Sequence, residues 1–71
     1  IYSEMYFGEI QFEIENSNPT KITYSFGNET LPVTKLNQKE NLIEFSVPLQ
    51  IGAKTLLIYF DDAPALGYRV E

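Results

Sequence analysis

Apolar and polar residues alternate along most of the chain, and residues 8–16 (GEIQFEIEN) show this most clearly. Their apolar side chains stand at every second position: Ile10, Phe12 and Ile14. Successive side chains of a β-strand point to opposite faces, so a period of two is typical of a strand with one buried face. The segment predicts a half-buried strand whose other face is acidic, because the apolar residues alternate with Gln11, Glu13 and Glu15.

Further strands are predicted where apolar residues alternate or cluster between turn formers. These segments are residues 1–7 (IYSEMYF), 21–26 (KITYSF), 31–36 (LPVTKL) and 42–49 (LIEFSVPL). Gly27 and Asn28 tolerate a positive φ, so they predict a tight hairpin directly after residues 21–26. Pro32 and Pro48 cannot donate a ladder hydrogen bond, so we expect Pro32 at a strand start or a sheet edge and Pro48 at a sheet edge or a bulge.

The last third of the chain holds the most apolar segment, residues 53–60 (AKTLLIYF). Five consecutive residues leave it without a polar face, and a strand of this kind needs cover on both sides. The segment ends at Asp61 and Asp62. Because Pro64 and Gly67 are turn formers, we expect a turn there, with a last strand starting at Tyr68.

Six or seven short strands separated by turn clusters are typical of a small sandwich or barrel. The fold prediction is therefore an all-β, immunoglobulin-like β-sandwich of six to seven antiparallel strands, formed by residues 1–71 as a single domain. Because the chain begins at Ile1 and not at Met, we also expect it to be part of a longer one.

Composition narrows the possible chemistry. Without histidine or cysteine, the chain lacks the usual general base, a thiol nucleophile and most transition-metal ligands, so we expect no cofactor and no metal. The net charge of −5 and the scattered basic residues argue against nucleic acid as a partner. No apolar run approaches the length needed to span a membrane, and the sequence does not indicate a cellular compartment.

Two kinds of side chain remain as candidates for a site. Asp61 and Asp62 form an acidic pair, but neighbours on a strand point to opposite faces, so a solvated strand end is favoured over catalysis or calcium binding. Tyr59 and Tyr68 are candidates for stacking on a sugar ring, although packing with the hydroxyl in water is the more usual role. We predict no catalytic residue and retain these four side chains as candidate binding residues.

The chain closes with residues 63–71 (APALGYRVE), after an apolar strand and two acidic residues. This stretch resembles a recurrent motif in the β-sandwich regions of glycoside hydrolase family 38 alpha-mannosidases, where a strand leads into a Pro-x-Leu-Gly-Tyr turn and one further strand. The matching positions are Pro64, Leu66, Gly67 and Tyr68. The resemblance implies an accessory sandwich beside a catalytic domain that holds the zinc ion and the aspartate nucleophile, so no catalytic residue is transferred to this chain.

Two functions are consistent with these observations. The first is a non-catalytic accessory module of a larger carbohydrate-active enzyme, an alpha-mannosidase-like glycoside hydrolase, that packs against neighbouring domains of the parent chain. The alternative is a free-standing module for adhesion or surface assembly that binds a sugar or a protein. The chain itself offers no catalytic set, so the sequence leaves open whether the parent is an enzyme.

Overall fold

A computed structural model describes residues 2–6, 8–27, 29–50, 52 and 54–70 of the chain. Within these residues the chain forms eight β-strands and no helix. The strands are β1 (Tyr2–Tyr6), β2 (Glu9–Glu15), β3 (Ile22–Ser25), β4 (Thr30–Pro32), β5 (Thr34–Gln38), β6 (Leu42–Pro48), β7 (Thr55–Phe60) and β8 (Ala63–Arg69).

The strands pair into two four-stranded sheets with the orders β1-β2-β6-β5 and β4-β3-β7-β8. Every pairing in both sheets is antiparallel. Each sheet belongs to its own compact unit, the first unit containing β1, β2, β5 and β6. The all-β prediction is confirmed and two antiparallel sheets are compatible with a β-sandwich, although the described residues form eight strands instead of six or seven.

The core of the first unit follows the alternation in the sequence. In β2 the buried apolar residues are Ile10, Phe12 and Ile14, and in β6 they are Ile43, Phe45 and Val47. Phe12 and Phe45 stand opposite each other in the antiparallel register, and their rings stack with centroids 5.2 Å apart. The intervening residues of both strands lie on the opposite face, where a polar surface results.

Residues 31–36 differ from the prediction, because they do not form one strand. Pro32 ends β4, which pairs with β3, and Thr34 begins β5, which pairs with β6. Val33, between them, belongs to neither strand. Pro32 does lie on an edge strand, as expected, whereas Pro48 ends the inner strand β6, so an edge position was the wrong expectation for it.

The core of the second unit comes from β3 and β7. Leu56 and Ile58 are fully buried on one face of β7, and Ile22 and Tyr24 of β3 are buried with them. The predicted hairpin between β3 and β4 is confirmed, with Gly27 at a φ of 107°. Asn28, the other predicted hairpin residue, lies outside the described residues.

The turn near the end of the chain lies earlier than predicted. Phe60 pairs with Ala63, so Asp61 and Asp62 form a two-residue hairpin loop, and both have positive φ angles, 53° and 67°. Positive φ at both loop residues is the type I′ geometry, which matches the twist of the flanking strands, and aspartate tolerates it better than most residues. Pro64 and Gly67 therefore do not form the turn but lie within β8, and Gly67 is not in the left-handed region.

Candidate functional site

Asp61 holds the start of β3 in place. Its carboxylate accepts hydrogen bonds from the backbone N–H groups of Thr20, at 3.0 Å, and Lys21, at 2.9 Å. Its own backbone N–H donates to the Lys21 carbonyl oxygen at 2.9 Å. Asp61 is exposed directly after the last residue of β7, and its carboxylate also binds the backbone at the entry of β3.

Asp62 has a different partner from its neighbour. Its carboxylate forms an ion pair with the ammonium group of Lys21 at 2.9 Å, and both side chains are largely exposed. The structure thus places the two predicted acidic residues side by side in one turn, but each interacts with a separate group. Among the described residues, no cluster of three or more acidic side chains with the geometry of a metal site is found.

The two candidate tyrosines lie on opposite faces of the second sheet. Tyr68 stands opposite Leu56, on the face that carries the buried Ile58. Tyr59 follows Ile58 in β7 and so points to the other face. Both side chains are partly buried. Because they lie on opposite faces of the sheet, the two rings cannot form one stacking platform for a sugar.

The face that carries Tyr59 is named here the Leu57 face, and its residues are Thr23, Ser25, Leu57, Tyr59 and Gly67. Leu57 is 38% exposed although β7 is an inner strand, flanked by β3 and β8. A Cβ atom at Gly67 would lie 3.8 Å from Cδ2 of Leu57, so the residue beside Leu57 has no side chain to cover it. We expected β7 to be covered on both faces. Among the described residues, Leu56 and Ile58 on one face are fully buried, whereas Leu57 on the other face is partly exposed.

The first sheet carries a cavity of about 310 Å³ on its polar face. It is named here the polar cavity, and its side chains are Glu9, Gln11, Lys35, Asn37, Glu44 and Ser46. Phe45 also borders it, but the Phe45 ring packs on Phe12 at the buried face. The register places Gln11 opposite Ser46 and Glu44 opposite Asn37, so the cavity follows two neighbouring rows of the sheet.

A β-bulge in β5 shapes the polar cavity. Thr34 pairs with Ser46 and Asn37 with Glu44, so β5 has one extra residue between these pairs. Lys35, in the bulge, has a φ of 53°, and its ammonium group reaches across β6 to the Glu9 carboxylate at 2.7 Å. Bulges often re-aim a side chain in this way. The cavity residues are not recognisable in the sequence, because the bulge is defined only by the register of β5 against β6.

Comparisons with known proteins find no matching family model, no similar curated protein and no similar solved structure. Within the described residues, no helix is long or apolar enough to cross a membrane.

Proposed function

We propose that this chain is a non-catalytic β-sandwich module of a larger carbohydrate-active enzyme, alpha-mannosidase-like, and that it packs against a neighbouring domain through the Leu57 face. The observation that carries the proposal is the 38% exposure of Leu57 in the middle of the second sheet. A strand with large apolar residues on both faces is best stabilised when both faces are covered.

The strand orders support the immunoglobulin-like type. When the strands are lettered A, B, C, C′, D, E, F and G along the chain, the first sheet has the order A-B-E-D and the second the order C′-C-F-G. Immunoglobulin-like sandwiches distribute their strands between two sheets in this way. Such sandwiches are common accessory domains, and the fold by itself implies no activity.

The acidic pair also supports a role outside catalysis. The Asp61 carboxylate is occupied by two backbone N–H groups, and Asp62 pairs with Lys21. A catalytic pair needs carboxyl groups placed on either side of a substrate bond, and these two groups are committed to holding a turn. The resemblance of residues 63–71 to the sandwich regions of family 38 enzymes gives the larger protein its proposed class.

The experiment compares two exposed leucines in the longer protein. Leu57→Lys places a charge on the proposed docking face. The control, Leu36→Lys, places a charge at a leucine of the first unit that is 48% exposed and does not belong to that face. We expect Leu57→Lys to lower the thermal unfolding midpoint and to increase proteolysis at the domain boundary. Leu36→Lys should leave both unchanged. Equal behaviour of the two variants would contradict the proposal.

The alternative function, a free-standing binding module, is supported by a different observation. The polar cavity provides several hydrogen-bonding groups in one concave site, whereas Tyr59 and Tyr68 provide no common platform. A binding module should retain its ligand in the isolated chain, and it needs no neighbouring domain over Leu57.

A further inference from the structure

We propose that the polar cavity of the first sheet binds an uncharged, polyhydroxylated small molecule, such as a single sugar unit. The inference is independent of the proposed docking role, because every residue of the cavity lies in the first unit and Leu57 lies in the second.

The size of the cavity fits a small ligand. Its volume of about 310 Å³ lies at the lower end of the range for ligand sites. The floor is formed by the inner strand β6, whose Ser46 is only 4% exposed. The Lys35 side chain crosses β6 to Glu9, and both residues line the cavity. A volume of this size fits a compact molecule such as a single sugar unit.

The charges of the cavity favour a neutral ligand. Glu9 pairs with Lys35 at 2.7 Å, and Glu44 pairs with Lys39 at 3.4 Å. Each carboxylate thus has its own ammonium partner. A cation would have to displace a lysine, and an anion would meet two carboxylates. An uncharged ligand encounters neither difficulty.

The hydrogen-bonding groups match hydroxyls. Carboxylates only accept hydrogen bonds, lysine ammonium groups only donate them, and the amides of Gln11 and Asn37 do both. A hydroxyl group can donate to a carboxylate while it accepts from an amide or ammonium group. A molecule with several adjacent hydroxyls can satisfy the rows formed by Gln11 with Ser46 and by Asn37 with Glu44.

No aromatic ring contributes a face to the cavity among the described residues that line it, since the Phe45 ring packs on Phe12. Stacking, a strong contribution in many sugar sites, is therefore missing, and binding should rest on hydrogen bonds. We expect weak affinity, in the millimolar range, with selectivity for the arrangement of hydroxyl groups.

The test is a titration of the ¹⁵N-labelled protein, followed by amide NMR shifts. The probes are the methyl glycosides of glucose, galactose and mannose, with putrescine and inorganic phosphate as charged comparisons. We expect saturable shifts at Gln11, Asn37 and Ser46 with at least one glycoside. Asn37→Ala and Gln11→Ala should each weaken binding about fivefold, the loss of roughly one hydrogen bond. The matched control is Gln50→Ala, at an exposed position that is not among the residues lining the cavity, and it should bind as before.

Three results would overturn the inference. They are the absence of saturable shifts with all three glycosides, stronger binding of putrescine or phosphate, and shifts centred on Tyr59 or Tyr68. Should one alanine variant unfold, Glu44→Gln provides a second measurement, since it removes the charge with little change in shape. Weaker binding in that variant supports the site, because a carboxylate accepts hydrogen bonds more strongly than an amide, and unchanged binding in both Glu44→Gln and the folded alanine variant contradicts it.

Discussion

Asp61 and Lys21 are joined by two hydrogen bonds, one to a side chain and one between backbone groups, although they lie 40 residues apart in sequence. The Lys21 N–H donates to the Asp61 carboxylate, and the Asp61 N–H donates to the Lys21 carbonyl oxygen, both at 2.9 Å. The acidic turn between β7 and β8 is thereby fixed to the entry of β3. Asp61, half of the acidic pair that the sequence offers as a candidate site, therefore has a structural role in joining β3 to the turn.

Asp61 contributes to stability in two ways, by adopting a positive φ and by accepting hydrogen bonds at its carboxylate, and two replacements should separate these contributions. Asp61→Gly keeps the positive φ but loses the carboxylate, and Asp61→Ala loses both. We expect Asp61→Gly to lower the free energy of unfolding by about 1–2 kcal/mol and Asp61→Ala by about 1 kcal/mol more. Urea unfolding of the two variants measures the difference.

Asp62→Asn is the matched control for this turn. Asparagine also tolerates a positive φ, and only the exposed ion pair with Lys21 is lost. Exposed pairs contribute little, so the free energy of unfolding should change by less than about 0.5 kcal/mol. A larger loss for Asp62→Asn than for Asp61→Gly would contradict the role assigned to Asp61.

Thr23 is buried on the Leu57 face, and within the described part of the chain its hydroxyl oxygen has no hydrogen-bond partner. A buried hydroxyl without a partner is costly, and valine has nearly the same shape. We expect Thr23→Val to raise the free energy of unfolding by about 1 kcal/mol.

Thr34→Val is the comparison for Thr23. The Thr34 hydroxyl donates to the Ser46 carbonyl oxygen at 3.1 Å, so valine removes a hydrogen bond that is present. Thr34→Val should lower the free energy of unfolding by about 1 kcal/mol. Urea unfolding of both variants should therefore give changes of opposite sign, and a loss of stability in both would contradict the assignment of Thr23.

Gly67 tests the position of the turn. Since Gly67 lies in β8 outside the left-handed region, an added methyl group would make only ordinary contact with Leu57. We expect Gly67→Ala to leave the thermal midpoint unchanged or slightly raised. Gly27→Ala, at a φ of 107°, should lower stability by at least about 1 kcal/mol. Equal losses of stability in the two variants would indicate that Gly67 lies in a turn and would contradict its place in β8.

The sequence predicted those parts of the fold that depend on local alternation. The strands β2 and β6 follow directly from apolar residues at every second position, and β7 follows from its apolar run. The break at Val33 was not predictable in this way, because the partners of β4 and β5 lie in different sheets. The break between β4 and β5 results from pairing with segments distant in sequence, and local propensity carries no information about that pairing.

The candidate site was less predictable than the fold. Pro64 and Gly67 have the local propensity of turn residues, but the hairpin closes earlier because Asp61 and Asp62 adopt positive φ angles. Pro64 is accommodated because β8 is an edge strand. The polar cavity depends on the bulge at Lys35, which only the register of β5 against β6 defines.

The central claim is that the Leu57 face is covered by a neighbouring domain, and single cysteines test it directly because the chain contains none of its own. Leu57→Cys and Leu36→Cys report on two of the three exposed leucines among the described residues, and the rate of maleimide labelling at each is measured by peptide mass spectrometry in the proposed longer protein. We predict that the cysteine at position 57 reacts at least about tenfold more slowly than the cysteine at position 36, because a docked domain excludes the reagent. In the isolated chain the two rates should be similar. Equal rates in the longer protein would contradict the account.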